Sequence, residues 1–236
     1  MQMSKLKKIK QLLRSEVLMG LPTITSYNMP TKEQLPENQV DWRIDPNRAV
    51  LLIHDMQNHF LNAYNSEQSP VVELIQNIKE IRKECKSMGI PVVYSAQPGN
   101  QAPADRALLT DFWGEGMKDN PESTDIVEEL SPDHEDLALT KWRYSAFKRT
   151  DLLEFIQREG RDQLIICGIY AHIGCLLTAC EAFMQDIQPF FVADAVADFS
   201  AEDHQMALNY VSSRCGVVST TANVVEELKT KETVVK

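Results

Sequence analysis

The sequence predicts a single-domain, three-layer α/β/α fold with a central, mostly parallel, doubly wound sheet. Short apolar runs, such as residues 49–53 and 163–167, alternate with segments whose apolar residues recur at helical spacing. Strands buried on both faces read as nearly continuous apolar runs, and crossover helices are what cover them. The chain has 236 residues, 43% of them hydrophobic, which suffices for one large core.

Each element has a local reason. Residues 20–48 contain Pro22, Pro30, Pro36 and Pro46 and read as an extended lead-in. The run from Ala49 to Ile53 is the first strand and ends at His54-Asp55. Pro70 to Met88 is a helix, with Val71, Leu74, Ile75, Ile78, Ile81 and Cys85 on one face and Gly89 as its stop. Pro91 to Tyr94 is a strand, and Ser95 to Trp113 a polar excursion with short helical pieces. Leu137 to Thr140 is a strand ending at Lys141, and Asp151 to Glu159 a helix stopped by Gly160. Gln163 to Cys167 is a strand that breaks at Gly168, followed by a helix from Leu176 to Asp186. Gln188 to Ala193 is a strand. Ser200 caps a helix from Ala201 to Arg214, with Asp203 three residues on. Val217-Val218 is a last short strand and Thr221 to Leu228 a last helix. The chain thus divides into an N-terminal extension, 1–26, a main domain, 27–228, and a polar tail, 229–236. Within the extension, Leu6, Ile9, Leu13 and Val17 among Lys5, Lys7, Lys8, Lys10 and Arg14 predict a basic amphipathic helix.

Composition narrows the function. A net charge of -10 argues against nucleic acid as a partner, and means that an anionic substrate must be caught by a local basic pocket. No run is long and apolar enough to span a bilayer, and the N-terminus lacks the apolar stretch of a signal peptide. The five cysteines form no C-x-x-C pair and are odd in number, which suits reduced thiols in the cytoplasm and neither a disulfide framework nor a zinc site.

Ligands of doubly wound sheets sit beyond the carboxyl ends of the strands. That rule selects Asp55, Ser95 to Gln97, Lys141, Tyr170 to Gly174, and Asp194. An aspartate directly after a buried strand is partly desolvated, so its pKa can rise and it can serve as an acid. By position alone, a loop-capping role for Asp55 and a surface role for Lys141 fit as well.

The runs Ile53-His-Asp-Met-Gln57, Tyr94-Ser-Ala-Gln-Pro98, Lys141-Trp-Arg-Tyr-Ser-Ala146 and Gly168-Ile-Tyr-Ala-His-Ile-Gly174 closely resemble the motifs of isochorismatases. More narrowly, they resemble the isochorismatase domains of catechol-siderophore synthesis. Asp105–Leu109, Asp111–Gly114 and Val192–Phe199 match in the same order, so the resemblance spans roughly residues 27–228. It implies hydrolysis of the vinyl ether of isochorismate to pyruvate and 2,3-dihydroxy-2,3-dihydrobenzoate, with no metal or other cofactor. By the same resemblance Asp55 is the acid, with Lys141 and Gly174 beside it. Gln97 and Arg106 contact the ring substituents and carboxylates. Tyr170 and the Gly174 N–H contact the pyruvyl end, and Trp113 and Phe60 wall the pocket. It also implies a homodimer, aryl carrier or siderophore synthetase partners, and a cis peptide at Tyr170-Ala171.

The wider superfamily contains cysteine hydrolases with an Asp, Lys and Cys triad, whose nucleophile position falls on Gly174. Cys175 is one residue late, and one residue along a helix turns a side chain by about 100°. This points to chemistry without a covalent intermediate and makes Cys175 a packing residue. Three rival readings stand beside this one. They are a thiol amidase such as a nicotinamidase, a phenazine-type enzyme acting on 2-amino-2-deoxyisochorismate, and a non-catalytic platform in a siderophore assembly line.

Overall fold

In the computed structural model, which describes residues 21–232, the apolar runs become six strands: β1 (Ala49–His54), β2 (Val92–Ala96), β3 (Leu137–Thr140), β4 (Gln163–Ile169), β5 (Gln188–Ala197) and β6 (Val217–Ser219). They form one sheet in the order β3-β2-β1-β4-β5-β6, and every pairing is parallel. The expected doubly wound sheet is therefore present, without an antiparallel edge among the described residues. The order reverses between β1 and β4, which opens the ligand crevice there.

Side chains of β1 alternate between two cores. Ala49, Leu51 and Ile53 face one layer, which α1 (Val71–Ser87) and α5 (Thr221–Glu232) cover through Leu74, Ile78, Ile81, Val224 and Leu228. Val50 and Leu52 face the other, covered by α2 (Leu152–Arg158), α3 (Leu176–Met184) and α4 (Ala201–Arg214) through Ile156, Ala179, Leu208 and Val211. This period-2 division explains why the run is apolar throughout: both faces of the strand are interior. Ser200 caps α4, its hydroxyl accepting from the Asp203 N–H at 3.1 Å.

Several strands run further than the sequence indicated, and two of the extensions shape the site. β4 passes through Gly168 to Ile169, because Gly168 takes a φ of 115° and lies against β1, where a Cβ would stand 2.1 Å from the His54 carbonyl oxygen. β5 passes through Asp194 to Ala197 across a bulge: Ile166 pairs with Phe191, but Gly168 with Val196. The extra residues flip the side-chain parity, so Val192 and Ala195 share one core while Val196 joins the other. Asp194 is thus not a site residue at a strand end. Its carboxylate accepts from the Thr221 N–H at 2.7 Å and the Thr221 hydroxyl at 2.8 Å at the start of α5. The strand end falls on Asp198 instead.

The lead-in is part of this body. Ile24 is buried in the core, and its N–H donates to the Ala63 carbonyl at 2.8 Å. The Asp198 N–H donates to the Tyr27 hydroxyl at 2.8 Å. That hydroxyl lies 3.1 Å from His204 Nδ1, and His204 Nε2 lies 2.9 Å from the Ala193 carbonyl oxygen. The chain closes with a neutral imidazole that accepts at Nδ1 and donates at Nε2. The basic helix expected before residue 20 lies outside the described residues.

Burial pushes the His204 imidazole down from 6.5 to about 4. Its folded value lies below its unfolded one, so the unfolded chain takes up a proton first as pH falls. Stability is therefore full above pH 6.5 and drops towards pH 4, by at most about 3 kcal/mol. Thermal melts across that range will show the slope, and His204→Gln will flatten it.

Candidate active site

The carboxyl ends of four adjacent strands supply the site. Asp55 follows β1 with a φ of 51°, a left-handed conformation that turns its carboxylate away from the strand direction. Its backbone N–H donates to the Ser95 carbonyl on β2 at 3.0 Å. Lys141 follows β3, and its Nζ lies 2.8 Å from Asp55 Oδ2. The ammonium also donates to the Arg143 carbonyl at 2.8 Å. Both partners are interior, with Asp55 4% and Lys141 2% exposed. Ser95 Oγ donates to Asp55 Oδ1 at 2.9 Å, and Gln97 Nε2 to Oδ2 at 3.3 Å. Burial alone would raise the Asp55 carboxyl. The Lys141 ammonium outweighs it, with help from the Ser95 hydroxyl, and holds the group below the usual carboxylate range.

A cavity of about 350 Å³ opens over this pair. Asp55, Lys141, Gly174, Gln97, Arg106, Tyr170, Trp113 and Phe60 all line it, so one pocket gathers the residues to which the family resemblance gave a role, while Asp194 lies elsewhere. The aromatic side is a continuous stack. Trp113 lies on Phe199 at 6.0 Å, Phe199 on Tyr170 at 4.2 Å, and Phe60 meets the Tyr170 ring edge-on at 6.0 Å. Trp113 Nε1 donates to the Tyr144 hydroxyl at 2.8 Å, and the Tyr170 hydroxyl to the Phe60 carbonyl at 3.2 Å. Arg106 is buried, its guanidinium donating to the carbonyls of Gly114 and Trp113. Burial lowers its pKa, which does not discharge a guanidinium at neutral pH.

Several lining residues were not singled out from the sequence. Arg143, Lys118 and His59 join Arg106 and Lys141 on the wall, against the carboxylates of Asp55 and Glu115. The pocket is thus locally basic within a chain of net charge -10. Arg143 stands two residues after Lys141, so the strand-end rule reached its neighbour and stopped short. Gln57 holds the Gln97 segment in place: the Gln97 N–H donates to its Oε1 at 2.8 Å, and its Nε2 donates back to the Gln97 carbonyl at 2.9 Å. Asp198 accepts from the His172 N–H and holds the His172 ring, with Nδ1 2.7 Å away, so it anchors the turn from Ala171 to Cys175. The hydrogen bond to Asp198 raises the His172 pKa.

The non-proline cis peptide is Ile169–Tyr170, one bond earlier than expected. It precedes the extended Tyr170, and the helical turn begins only at Ala171. Cys175 is fully buried in the core opposite α1, where burial pushes its thiol well up. Among the described residues, His172, Asp198 and Asp203 are the grouping with metal-type ligands. Asp198 is committed to His172 and Asp203 to Ser200.

A buried acid–ammonium pair at the switch point of a doubly wound sheet, under a basic and aromatic pocket, defines a hydrolase-type α/β site. Residues 49–223 match the model of the isochorismatase domain. The chain is 60% identical over 211 residues to the isochorismatase of Bacillus subtilis (strain 168), covering 89% of this chain and 68% of that protein. It is 49% identical to enterobactin synthase component B of Escherichia coli (strain K12), covering 85% of this chain and 70% of that protein. It is also 49% identical to phenazine biosynthesis protein PhzD1 of Pseudomonas aeruginosa (strain PAO1), covering 88% and 99%. The chain belongs to the isochorismatase family.

The pair's contribution to stability is present above the unfolded carboxylate pKa of about 3.9 and is lost as pH falls through the lower folded value. Removing one partner leaves a buried, uncompensated charge. Lys141→Ala is expected to cost about 3 kcal/mol or more at neutral pH. The loss will shrink as pH falls, because protonation then neutralises the orphaned Asp55. The double variant Asp55→Asn/Lys141→Met will melt above Lys141→Ala, and thermal melts of the three proteins check the order.

Proposed function

We propose that this chain hydrolyses the vinyl ether of isochorismate to pyruvate and 2,3-dihydroxy-2,3-dihydrobenzoate, in catechol siderophore biosynthesis. The observation that carries the reading is the buried Asp55–Lys141 pair beneath a basic pocket. A vinyl ether hydrolyses when its terminal methylene carbon takes a proton and becomes a methyl group. Water adds to the resulting oxocarbenium ion, and the hemiketal releases the ring alcohol and pyruvate. This needs one well-placed acid and anion contacts for two carboxylates, with no nucleophilic side chain.

In this reading Asp55 is the acid, and after giving up its proton it faces the developing cation and stabilises it. Lys141 favours the ionised form of Asp55, the wrong state for an acid. A dianionic substrate changes both conditions. It competes for the ammonium and adds negative charge beside Asp55, and both effects raise the Asp55 pKa towards the working range. Arg106 and Arg143 supply guanidinium forks for the carboxylates. Gln97 orients the ring, Tyr170 and the Gly174 N–H meet the pyruvyl end, and Trp113 and Phe60 keep water out.

The reading extends to a cytoplasmic homodimer serving aryl carrier or siderophore synthetase partners. Five free thiols suit a reducing compartment. Met206 and Tyr210 on α4, both exposed, offer apolar surface to a second copy. The similarity to PhzD1 favours a second substrate of the same chemistry, 2-amino-2-deoxyisochorismate.

The purified chain is expected to release pyruvate from isochorismate without added metal, and Asp55→Ala to slow it by about 10²–10⁴-fold. Absence of release by the folded protein sinks the isochorismate reading, and the amino analogue is then the next substrate to offer. Arg106→Ala is expected to raise KM by about tenfold or more through a lost charge-assisted contact. Steady-state kinetics on the two substrates measure it.

A further inference from the structure

We propose that His54 is a specificity-determining residue: its imidazole fills the seat of any side chain at position 174, and so confines this acid–ammonium site to proton-transfer chemistry. The proposal rests on the acid-catalysed reading of Asp55, and names what keeps a covalent route closed.

Position 174 faces the pocket together with Asp55 and Lys141. A side chain there would share the pocket with a buried acid and a buried ammonium, neighbours of the kind that activate a thiol or hydroxyl. Gly174 has no side chain, and the space where one would start is already taken. A Cβ on Gly174 would stand 2.2 Å from His54 Cε1, 2.8 Å from Nε2 and 3.0 Å from Nδ1. The first two distances are closer than non-bonded atoms approach, and they involve the ring itself.

The ring has nowhere to go. His54 is fully buried, and its backbone is the last residue of β1, paired with Ser95 on one side and Gly168 on the other. Nδ1 lies 2.8 Å from the Ile169 carbonyl oxygen and Nε2 3.3 Å from that of Tyr144. Burial, with the neighbouring Lys141 ammonium, lowers the His54 pKa against the pull of Asp55, so the ring is neutral. A neutral ring has one N–H, and the nearer acceptor assigns it to Nδ1. His54 therefore adds no charge to the Asp55–Lys141 pair and acts there by shape. Both glycines of the 168–174 segment answer to it: Gly168 clears its backbone carbonyl and Gly174 its ring.

Two sets of variants test the pair. In the first, Gly174→Ala is expected to lower the melting temperature, and His54→Ala/Gly174→Ala to melt higher than Gly174→Ala. If His54→Ala alone does not fold, His54→Val takes its place in the double variant. In the second set, Gly174→Cys and His54→Ala/Gly174→Cys are treated with iodoacetamide, and alkylation of residue 174 is followed by peptide mass spectrometry. The reaction forms the S–CH₂ bond, releases iodide and gives up the thiol proton. Alkylation is expected to be about tenfold faster or more when His54 is removed. The proposal is overturned if Gly174→Ala melts with the unsubstituted protein, if the double variant gains nothing over it, or if residue 174 is alkylated equally fast with His54 in place. None of these readouts uses isochorismate, so failure of the substrate assignment would register separately in the pyruvate assay.

Discussion

The interaction on which the site depends is the ion pair between Asp55 and Lys141 at 2.8 Å, with both partners removed from water. Desolvating two charges costs several kcal/mol per ion, and only close geometry with further hydrogen bonds recovers it. The surroundings meet that condition from different strands: Ser95 and Gln97 donate to the carboxylate, and the Arg143 carbonyl accepts from the ammonium. The pair thus ties the ends of β1, β2 and β3 together at one point. In the proposed mechanism it is also a store of charge that an incoming anion redistributes, so that structure and reactivity would draw on one contact.

The sheet topology explains why the pair has a pocket above it. At the switch point the connections from β1 and β4 leave in opposite directions, and the gap between them is not roofed by either helical layer. The roof comes instead from the Leu109–Trp113 helix, the Phe199 region and the segment around Phe60, joined by aromatic stacking. These rings stand over a polar floor, and an apolar cover of this kind strengthens the electrostatic contacts below it.

Much of this was legible in the sequence for specific reasons. Strands buried on both faces are apolar at every position, so β1 stood out and placed Asp55 at its end. Lys141 followed from the same rule applied to β3. The misread strand ends have physical causes. Gly168 reads as a stop, but here it is the residue that lets two strands approach closely. Asp194 reads as a strand end, but a bulge carries it to the N-terminus of α5, and so Asp198 was passed over. His54 and Gln57 act through contacts with residues 40 or more positions away. Local periodicity carries no trace of such contacts, and only the family motif, which includes both residues, marks them.

The hydroxyl of Tyr27 gives the segment before β1 a share in ordering the site. It accepts from the Asp198 N–H, Asp198 holds His172, and His172 lies in the turn that carries Gly174. The stretch matched by the family model begins only at residue 49. The stretch matched by the family model is therefore smaller than the cooperative unit that organises the pocket. A fragment cut at the motif boundary would keep every side chain that lines the strand ends and lose the strap that fixes their spacing. For this architecture, the limits of the working enzyme are set by where its hydrogen-bond chains close.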